Sequence, residues 1–400
     1  MTNHTTPAAN LLFYRYGSIC EPDIIQSFQA LGFTVTEENM EMHTKVINHT
    51  TRVETLVKHL LAKPYSFVFS INFFPHLAEI CQRFELPYVS WVVDCPVPEL
   101  FSSAAANSYN RIFLFDYAQY LKFSSYHPEH IYYMPLAANV TRWDEVIASI
   151  TQNDMAKYSS EVSFVGSLYT EKSPLYQLPL NKFVQGYIDG LIDSQMLVYG
   201  YNFMEECITP ELIEELHRTS PLFGDLTSFY PNAEHYIAAH HFLGMEAARK
   251  ERIHTLNSIA QIAPVTLYTN SDVSALQHVT CKQGAKTLTE MPKIFHLSKI
   301  NLNITIKPIQ SGLSLRVWDI LGCGGFLLSN YQSEIPEYFE PGKDLVCYES
   351  TADMLEKITY YLAHDDIRNT IAQNGYEKVK KQHTYRHRIM EILKIVGDSF

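Results

Sequence analysis

The chain has no Cys-x-x-Cys pair, no His-Glu-x-x-His and no Asp-x-Asp, and no Gly-x-Gly-x-x-Gly follows its first strand. Each gap removes a chemistry. Without the histidine–glutamate helix motif, His235, His240, His241 and His254 read as ordinary helix histidines and no metal site is expected. Without the glycine fingerprint, a dinucleotide-dependent dehydrogenase is disfavoured. The seven cysteines, Cys20, Cys81, Cys95, Cys207, Cys281, Cys323 and Cys347, are scattered and odd in number, which suits a reduced, cytoplasmic setting. Positive charge is scarce. Against 43 acidic residues stand 31 Lys and Arg, a net charge of −12. That argues against a general nucleic-acid surface and leaves room only for a local cationic pocket. No apolar run reaches the roughly 18 residues of a membrane span, and residues 1–10 lack the basic start and apolar core of a signal peptide. No transmembrane segment is therefore expected. Short-period repeats and low-complexity tracts are also missing, which excludes a solenoid.

What is present is a long, well-folded composition. Four hundred residues, 46% of them hydrophobic, suffice for two cores. Apolar runs and helical patterns alternate. Strands are expected at 11–16, 33–37, 66–71, 88–93, 111–115 and 131–134, with helices at 22–31, 50–61 and 75–84 between them. A second series begins at 162–165, passes through a mostly helical stretch to 262, and resumes at 265–268. Such alternation predicts parallel, doubly wound sheets, whose ligands bind beyond the carboxyl ends of the strands. The polar stretch 139–160 reads as the linker.

The chain is organised around 300–330. Ile300–Ile306 alternates as a strand, and Pro308 stops it. Ser311 or Ser314 is placed to cap a helix whose apolar face is Leu313, Val317, Ile320 and Leu321. Gly324-Gly325 ends that helix before a strand at 326–328. A helix start beside Lys307, Arg316 and Asp319 suits a diphosphate, with Asp319 free to take ribose hydroxyls. The alternative is a plain Arg316–Asp319 pair at i, i+3, and spacing does not choose between them.

In the first series, Gly17-Ser18, Asp94 and Asp116 fall at strand ends. Asp94 follows Trp91-Val92-Val93 and precedes Cys95-Pro96, so its carboxylate sits at a strand tip. There it is either a general base for a substrate hydroxyl or a cap for the next helix. Asp116 reads as structural or acceptor-side. Thr269 and Asn270, at the end of the 265–268 strand, are either a nucleotide-base contact or a turn.

Gly312-Leu313-Ser314 with Asp319 and Gly322-Cys323-Gly324 resembles the sugar-nucleotide loop and helix of GT-B glycosyltransferases. Asp319 falls where those enzymes carry the second glutamate of Glu-x7-Glu, and Ser311 where they carry the first; Gly312 lies two residues earlier than usual. Gly166-Ser167-Leu168-Tyr169-Thr170-Glu171-Lys172 resembles their Gly-Arg-Leu-x-x-x-Lys stretch, with Ser167 replacing the arginine and Arg316 expected to compensate. Asp94 matches an acid in a Trp-x-x-Asp-x-Pro context of similar proteins. Ser311–Arg316, Gly322–Leu328 and Phe339–Asp344 are most similar to the CgeB-like (spore maturation protein) branch.

The resemblance implies an α/β chain of two Rossmann-like domains in the GT-B architecture. The expected units are an acceptor-side domain at 1–155, a sugar-nucleotide domain at 156–380, and a last helix at 381–400 crossing back to the first domain. The implied donor-binding set is Gly17, Gly166, Ser167, Lys172, Thr269, Asn270, Lys307, Gln310, Ser311, Gly312, Arg316 and Asp319, with Asp94 catalytic. The expected reaction transfers a sugar from a nucleotide-diphosphate donor, UDP-linked as first choice, to a protein or glycan acceptor of the cell surface. Neither metal nor other cofactor is expected. A sugar-nucleotide epimerase on the same fold, or a non-catalytic sugar-nucleotide sensor, would use the same donor pocket.

Overall fold

The computed structural model describes residues 9–43 and 48–398. The chain divides into two compact units, Met1–Leu136 with Thr384–Phe400, and Ala137–His383. Each holds one six-stranded parallel sheet with helices around it, so the expected pair of Rossmann-like domains is present.

In the first unit the strands are β1 (Asn10–Tyr14), β2 (Thr34–Glu38), β3 (Phe67–Ile71), β4 (Tyr88–Val92), β5 (Asn110–Leu114) and β6 (Ile131–Tyr133), in the order 2-1-3-4-5-6. β3, β4 and β5 are buried at every position, as parallel strands covered on both faces must be. Their apolar runs are therefore continuous rather than alternating. The order reverses between β1 and β3, which sets the crevice of this sheet there. The helix Tyr385–Asp398 belongs to this unit and packs on the helix Glu21–Ala30. Tyr385 meets Trp91 edge-on at 5.9 Å, and Arg388 Nε donates to the Pro135 carbonyl at 3.1 Å.

In the second unit β7 (Ser160–Val165), β8 (Val265–Thr269), β9 (Thr280–Gln283), β10 (Ser298–Asn303), β11 (Leu327–Asn330) and β12 (Val346–Tyr348) run 12-11-10-7-8-9. This is the dinucleotide-fold order, reversing between β7 and β10. Ile300 and Leu302 of β10, Val162 and Phe164 of β7, and Leu267 of β8 fill its core.

Several local expectations change. The strand through Ile300 stops at Asn303, because the Asn330 side chain takes over the backbone beyond it. Thr305 N–H donates to Asn330 Oδ1 at 2.8 Å, and Asn330 Nδ2 donates to the Thr305 carbonyl at 3.0 Å. The next helix is Leu315–Gly322, with Ser314 at the N-cap but no side-chain cap bond. Ser314 instead donates to Asn303 Oδ1 at 3.2 Å, and Ser311 to Glu334 Oε1 at 2.6 Å. Gly324, at φ +68°, does close the helix.

The helix His49–Ala62 is capped by Asn48, whose Oδ1 takes the Thr51 N–H at 2.8 Å. Ile335–Tyr338 forms a helical turn. Two further elements lie outside the apolar pattern. The helix Gln152–Tyr158 starts on a Thr151–Asp154 capping box, and β9 is an edge strand without alternation. The long helical run after Ala233 contains a π-helical segment, Ile237–Leu243, before the helix Gly244–Ile259. Among the described residues, no helix is long and apolar enough to cross a membrane.

Candidate functional site

A cavity of about 210 Å³ opens at the carboxyl ends of β7, β8 and β9 in the second unit. Its floor is the backbone that leaves the sheet: Gly166 and Ser167 after β7, Thr269, Asn270 and Ser271 at the end of β8, and Gly284 after β9. The loops are stitched by short polar side chains. Ser271 Oγ takes the Leu168 N–H at 2.8 Å, Ser167 Oγ takes the Tyr169 N–H at 2.8 Å, and Asn270 Oδ1 takes the Gly284 N–H at 3.1 Å. Serine and asparagine serve here because they bond backbone without bulk.

Two charges of opposite sign face the cavity. Arg316 comes from the first turn of the helix Leu315–Gly322, and Glu171 from the loop after β7. Arg316 Nη1 donates to Asp319 Oδ2 at 2.9 Å, and its guanidinium lies 5.4 Å from the Phe295 ring centre. Burial would raise the Glu171 carboxyl. Hydrogen bonds from Ser167, the Glu171 backbone, Ser271 and Thr170 outweigh it and hold the group below its usual range, so it is ionised at neutral pH.

The donor residues expected from the sequence fall into separate places. Gly166, Ser167, Thr269, Asn270 and Arg316 meet at this cavity. Asp319 is buried and holds Arg316, so the i, i+3 pair forms. Lys307 does not join Arg316. It is 6% exposed, its Nζ lies 3.1 Å from Glu251 Oε1, and it donates to the Val198 carbonyl at 3.3 Å. The Glu251 contact is close but lacks hydrogen-bond alignment. Lys307 and Gln310 line a separate void of about 10 Å³, which is water-sized. Ser311 and Gly312 are buried, the former on Glu334. Lys172 is exposed, with its ammonium 5.0 Å from the Tyr169 ring centre. Gly17 belongs to the other unit.

The first unit carries its own polar cluster at the strand tips. Gly17, at φ +98°, turns the chain after β1, and buried Glu21 fixes the turn by accepting the Tyr16 and Gly17 N–H groups at 2.9 and 3.0 Å. Asn72 ends β3 in the left-handed region, at φ +61°. Its Nδ2 donates to Asp94 Oδ2 and to the Tyr16 hydroxyl, both at 2.7 Å. Its Oδ1 accepts the Val93 N–H at 3.0 Å and the Asp94 N–H at 3.3 Å. Tyr16, Asn72 and Asp94 thus join the ends of β1, β3 and β4, across the reversal of strand order.

Asp94 is exposed, and it caps nothing: the following 3₁₀ turn Pro98–Phe101 starts at Val97 without a side-chain cap. Burial, reinforced by the Asp94 charge, pushes the Tyr16 phenol above its usual range, so it stays protonated as a donor. Burial also raises the nearby Glu99 carboxyl. Asp116 is buried and caps the helix Tyr117–Ser124 through the Ala118 N–H at 3.0 Å. His240, 1% exposed, has its Nε2 2.9 Å from Glu205 Oε2. Asn72, Tyr16 and Glu171 were not singled out by motif or spacing. Asn72 follows a strand immediately, and that is the one signal that marks it.

Residues 249–394 match the family model described as glycosyl transferase-like. A curated relative, an uncharacterized protein from Aquifex aeolicus, is 25% identical over 112 residues, covering 27% of this chain and 28% of that protein. The chain thus spans little more than a quarter of that relative's length. Similar solved structures cover nearly the whole chain. HepE from Anabaena, in complex with UDP and glucose, has a TM-score of 0.52 at 12% identity over 98% of this chain and 100% of its own. A glycosyltransferase from Rickettsia africae has 0.52 at 9%, covering 98% and 99%. Sucrose-phosphate synthase from Thermosynechococcus elongatus has 0.57 at 8%, covering 98% of both. The fold is therefore that of the GT-B glycosyltransferases, and residues 249–394 of it are similar to a glycosyl transferase-like family.

Proposed function

We propose that this chain, with its glycosyl transferase-like match on a GT-B fold, moves a sugar from a nucleotide-diphosphate donor to a protein or glycan acceptor. One observation carries the reading. The cavity at the strand ends beside the β7/β10 reversal has Arg316 in its wall, and nine of its thirteen lining residues lie inside the glycosyl transferase-like match. Strand ends beside a reversal of order are where such sheets take nucleotides. Arg316 meets phosphate charge, and the Thr269–Ser271 turn meets the base. The carboxylate that lines the cavity is Glu171 rather than Asp319, so Glu171 is assigned the hydroxyl or base N–H donors of the nucleoside.

Stabilising the departing diphosphate supplies the main catalytic effect, and side chains and backbone N–H groups provide it without a metal. In the first unit, Asp94 takes the proton of the acceptor hydroxyl as that oxygen bonds to the sugar and the sugar–phosphate bond breaks. Asn72 holds Asp94, and Tyr16 stays protonated beside it. The resemblance to CgeB-like proteins points to cell-surface glycans. The seven free cysteines fit a reduced cytoplasm.

The test is incubation with radiolabelled sugar nucleotides, with and without EDTA. Free nucleotide plus transferred sugar, unaffected by the chelator, is expected. An isomerised sugar would make the chain an epimerase. Binding without turnover would make it a sensor, and loss of turnover in EDTA would overturn the metal-free step.

A further inference from the structure

We infer that Arg252 is a binding residue for the donor diphosphate, supplying from a distant helix the guanidinium that position 167 lacks. The inference rests on the donor reading above. Arg252 lies on the helix Gly244–Ile259. Its Nη1 donates to the Ser167 carbonyl at 2.6 Å, and its Nη2 to the Ile304 carbonyl at 2.8 Å. Ser167 follows β7 and Ile304 follows β10, so one side chain clasps the two strand ends that flank the reversal of order. Gly166, which lines the cavity, brings its backbone against the same group: a Cβ there would sit 3.8 Å from Arg252 Nη1. The guanidinium lies 4.6 Å from the Tyr169 ring centre and 5.3 Å from that of Phe164.

The charge balance points to an anion. Three neighbouring cations that are largely shielded from solvent have carboxylates: Arg316 has Asp319 at 2.9 Å, Lys307 has Glu251 at 3.1 Å, and Arg249 has Glu246 at 2.6 Å. Among the described residues Arg252 has none within ion-pair distance, and its Nε is sealed from solvent with no hydrogen-bond partner. A guanidinium removed from water without a counter-charge is costly, and an anion beside it offsets that cost. Burial pushes its pKa down; Tyr169 and the Glu251 charge oppose that without outweighing it, and the Arg316 charge adds to it.

Geometry favours a phosphate in particular. The group carries five N–H donors, and the two carbonyls take one from each terminal nitrogen. The plane is held before any ligand arrives, and a fixed fork suits phosphate oxygens better than a mobile ammonium. The Ser167 position alone would have left this pocket short of an arginine. Arg316, the expected substitute, reaches the cavity with its charge shared with Asp319, so a second guanidinium adds to it rather than replacing it.

The alternative is a clasp with no ligand role, and calorimetry on the full chain separates the two. UDP, UMP and inorganic pyrophosphate are titrated into the wild type, Arg252→Met, Arg252→Lys and the double variant Arg252→Met/Ser167→Arg. Arg252→Met is expected to weaken UDP and pyrophosphate about 10- to 150-fold and UMP much less, the loss for a hydrogen bond to a charged group. Ser167→Arg in the same chain is expected to restore UDP binding. Equal loss of UDP and UMP, or no loss of either, would overturn the inference and leave the donor site standing. Should Arg252→Met not fold, the UDP-over-UMP preference of Arg252→Lys decides: a fall supports the role, and an unchanged preference sinks it. A wild type that binds neither UDP nor pyrophosphate would overturn the donor reading as well.

Discussion

Asn72 Nδ2 sits 2.7 Å from Asp94 Oδ2, while Asn72 Oδ1 takes the backbone N–H of Asp94 at 3.3 Å. One amide therefore grips both the side chain and the main chain of the exposed acid. Asn72 does so from a left-handed conformation, which asparagine tolerates better than most residues. If Asp94 is the base, Asp94→Asn removes it with little change in shape. Turnover should fall by about 10²–10⁴, with donor affinity and melting temperature near wild type. Normal turnover in that variant would exclude the role.

Replacing Asn72 by alanine should act through Asp94. It loses the grip on the carboxylate and puts alanine, which tolerates the left-handed region less well than asparagine, at φ +61°, so stability should drop by about 1–3 kcal/mol. Turnover should fall more than KM for the donor rises. A variant with lower stability but unchanged turnover at a temperature where it is folded would make Asn72 purely structural.

Arg316→Ala should weaken nucleotide diphosphates by roughly 1.5–3 kcal/mol, the range for a hydrogen bond to a charged group. It also deprives buried Asp319 of its cation, so some stability should go with it. The double variant Arg316→Ala/Asp319→Asn should recover stability but not affinity. Calorimetry and melting curves on both variants separate the two effects, and recovery of affinity in the double variant would remove Arg316 from the site.

Both sheets were legible because buried parallel strands write themselves as apolar runs, and each of β3, β4 and β5 lies within a residue or two of its expected place. The helix Gln152–Tyr158 and strand β9 were not legible, since the first is a short polar helix and the second an exposed edge. The candidate site was half legible. The strand-end residues Gly166, Ser167, Thr269 and Asn270 meet because topology alone brings strand ends together. Side-chain direction has no such rule. Lys307, two residues from Thr305 and nine from Arg316 in sequence, turns to Glu251 on another helix. That ion pair, like the Arg252 clasp on Ser167 and Ile304, joins residues more than fifty positions apart and leaves no local pattern.

Lys307 gives a clean contrast with Arg316. It is 6% exposed and Glu251 is 4% exposed, so Lys307→Met leaves a carboxylate buried without its cation. Such breakage typically costs about 3–5 kcal/mol. Nucleotide affinity of the folded variant should stay at the wild-type level, because Lys307 does not line the cavity proposed for the donor. A tenfold or greater loss of UDP affinity, measured at a temperature where the variant is folded, would return Lys307 to the phosphate site.

The cavity wall at 284–287 hangs on Glu290. Its carboxylate accepts the Lys286 N–H at 3.0 Å and the Tyr158 hydroxyl at 2.7 Å, and lies 3.1 Å from the Lys157 ammonium. The backbone bond from Lys286 leads, with Tyr158 and Lys157 behind it, in lowering the group from 4.5 to about 2. A carboxyl depressed in the folded state binds protons more tightly once unfolded. Its contribution is therefore complete above about 4.5 and is lost as pH falls toward 2. Glu290→Gln should be less stable than wild type at pH 7, and the gap should close steadily below pH 4.5. Urea midpoints for both proteins between pH 7 and pH 3 measure it. Since Glu290 is partly exposed, added salt should shrink the gap at pH 7 as well. A gap that stays constant down to pH 3 would mean that the Glu290 contacts stabilise the loop through shape rather than charge.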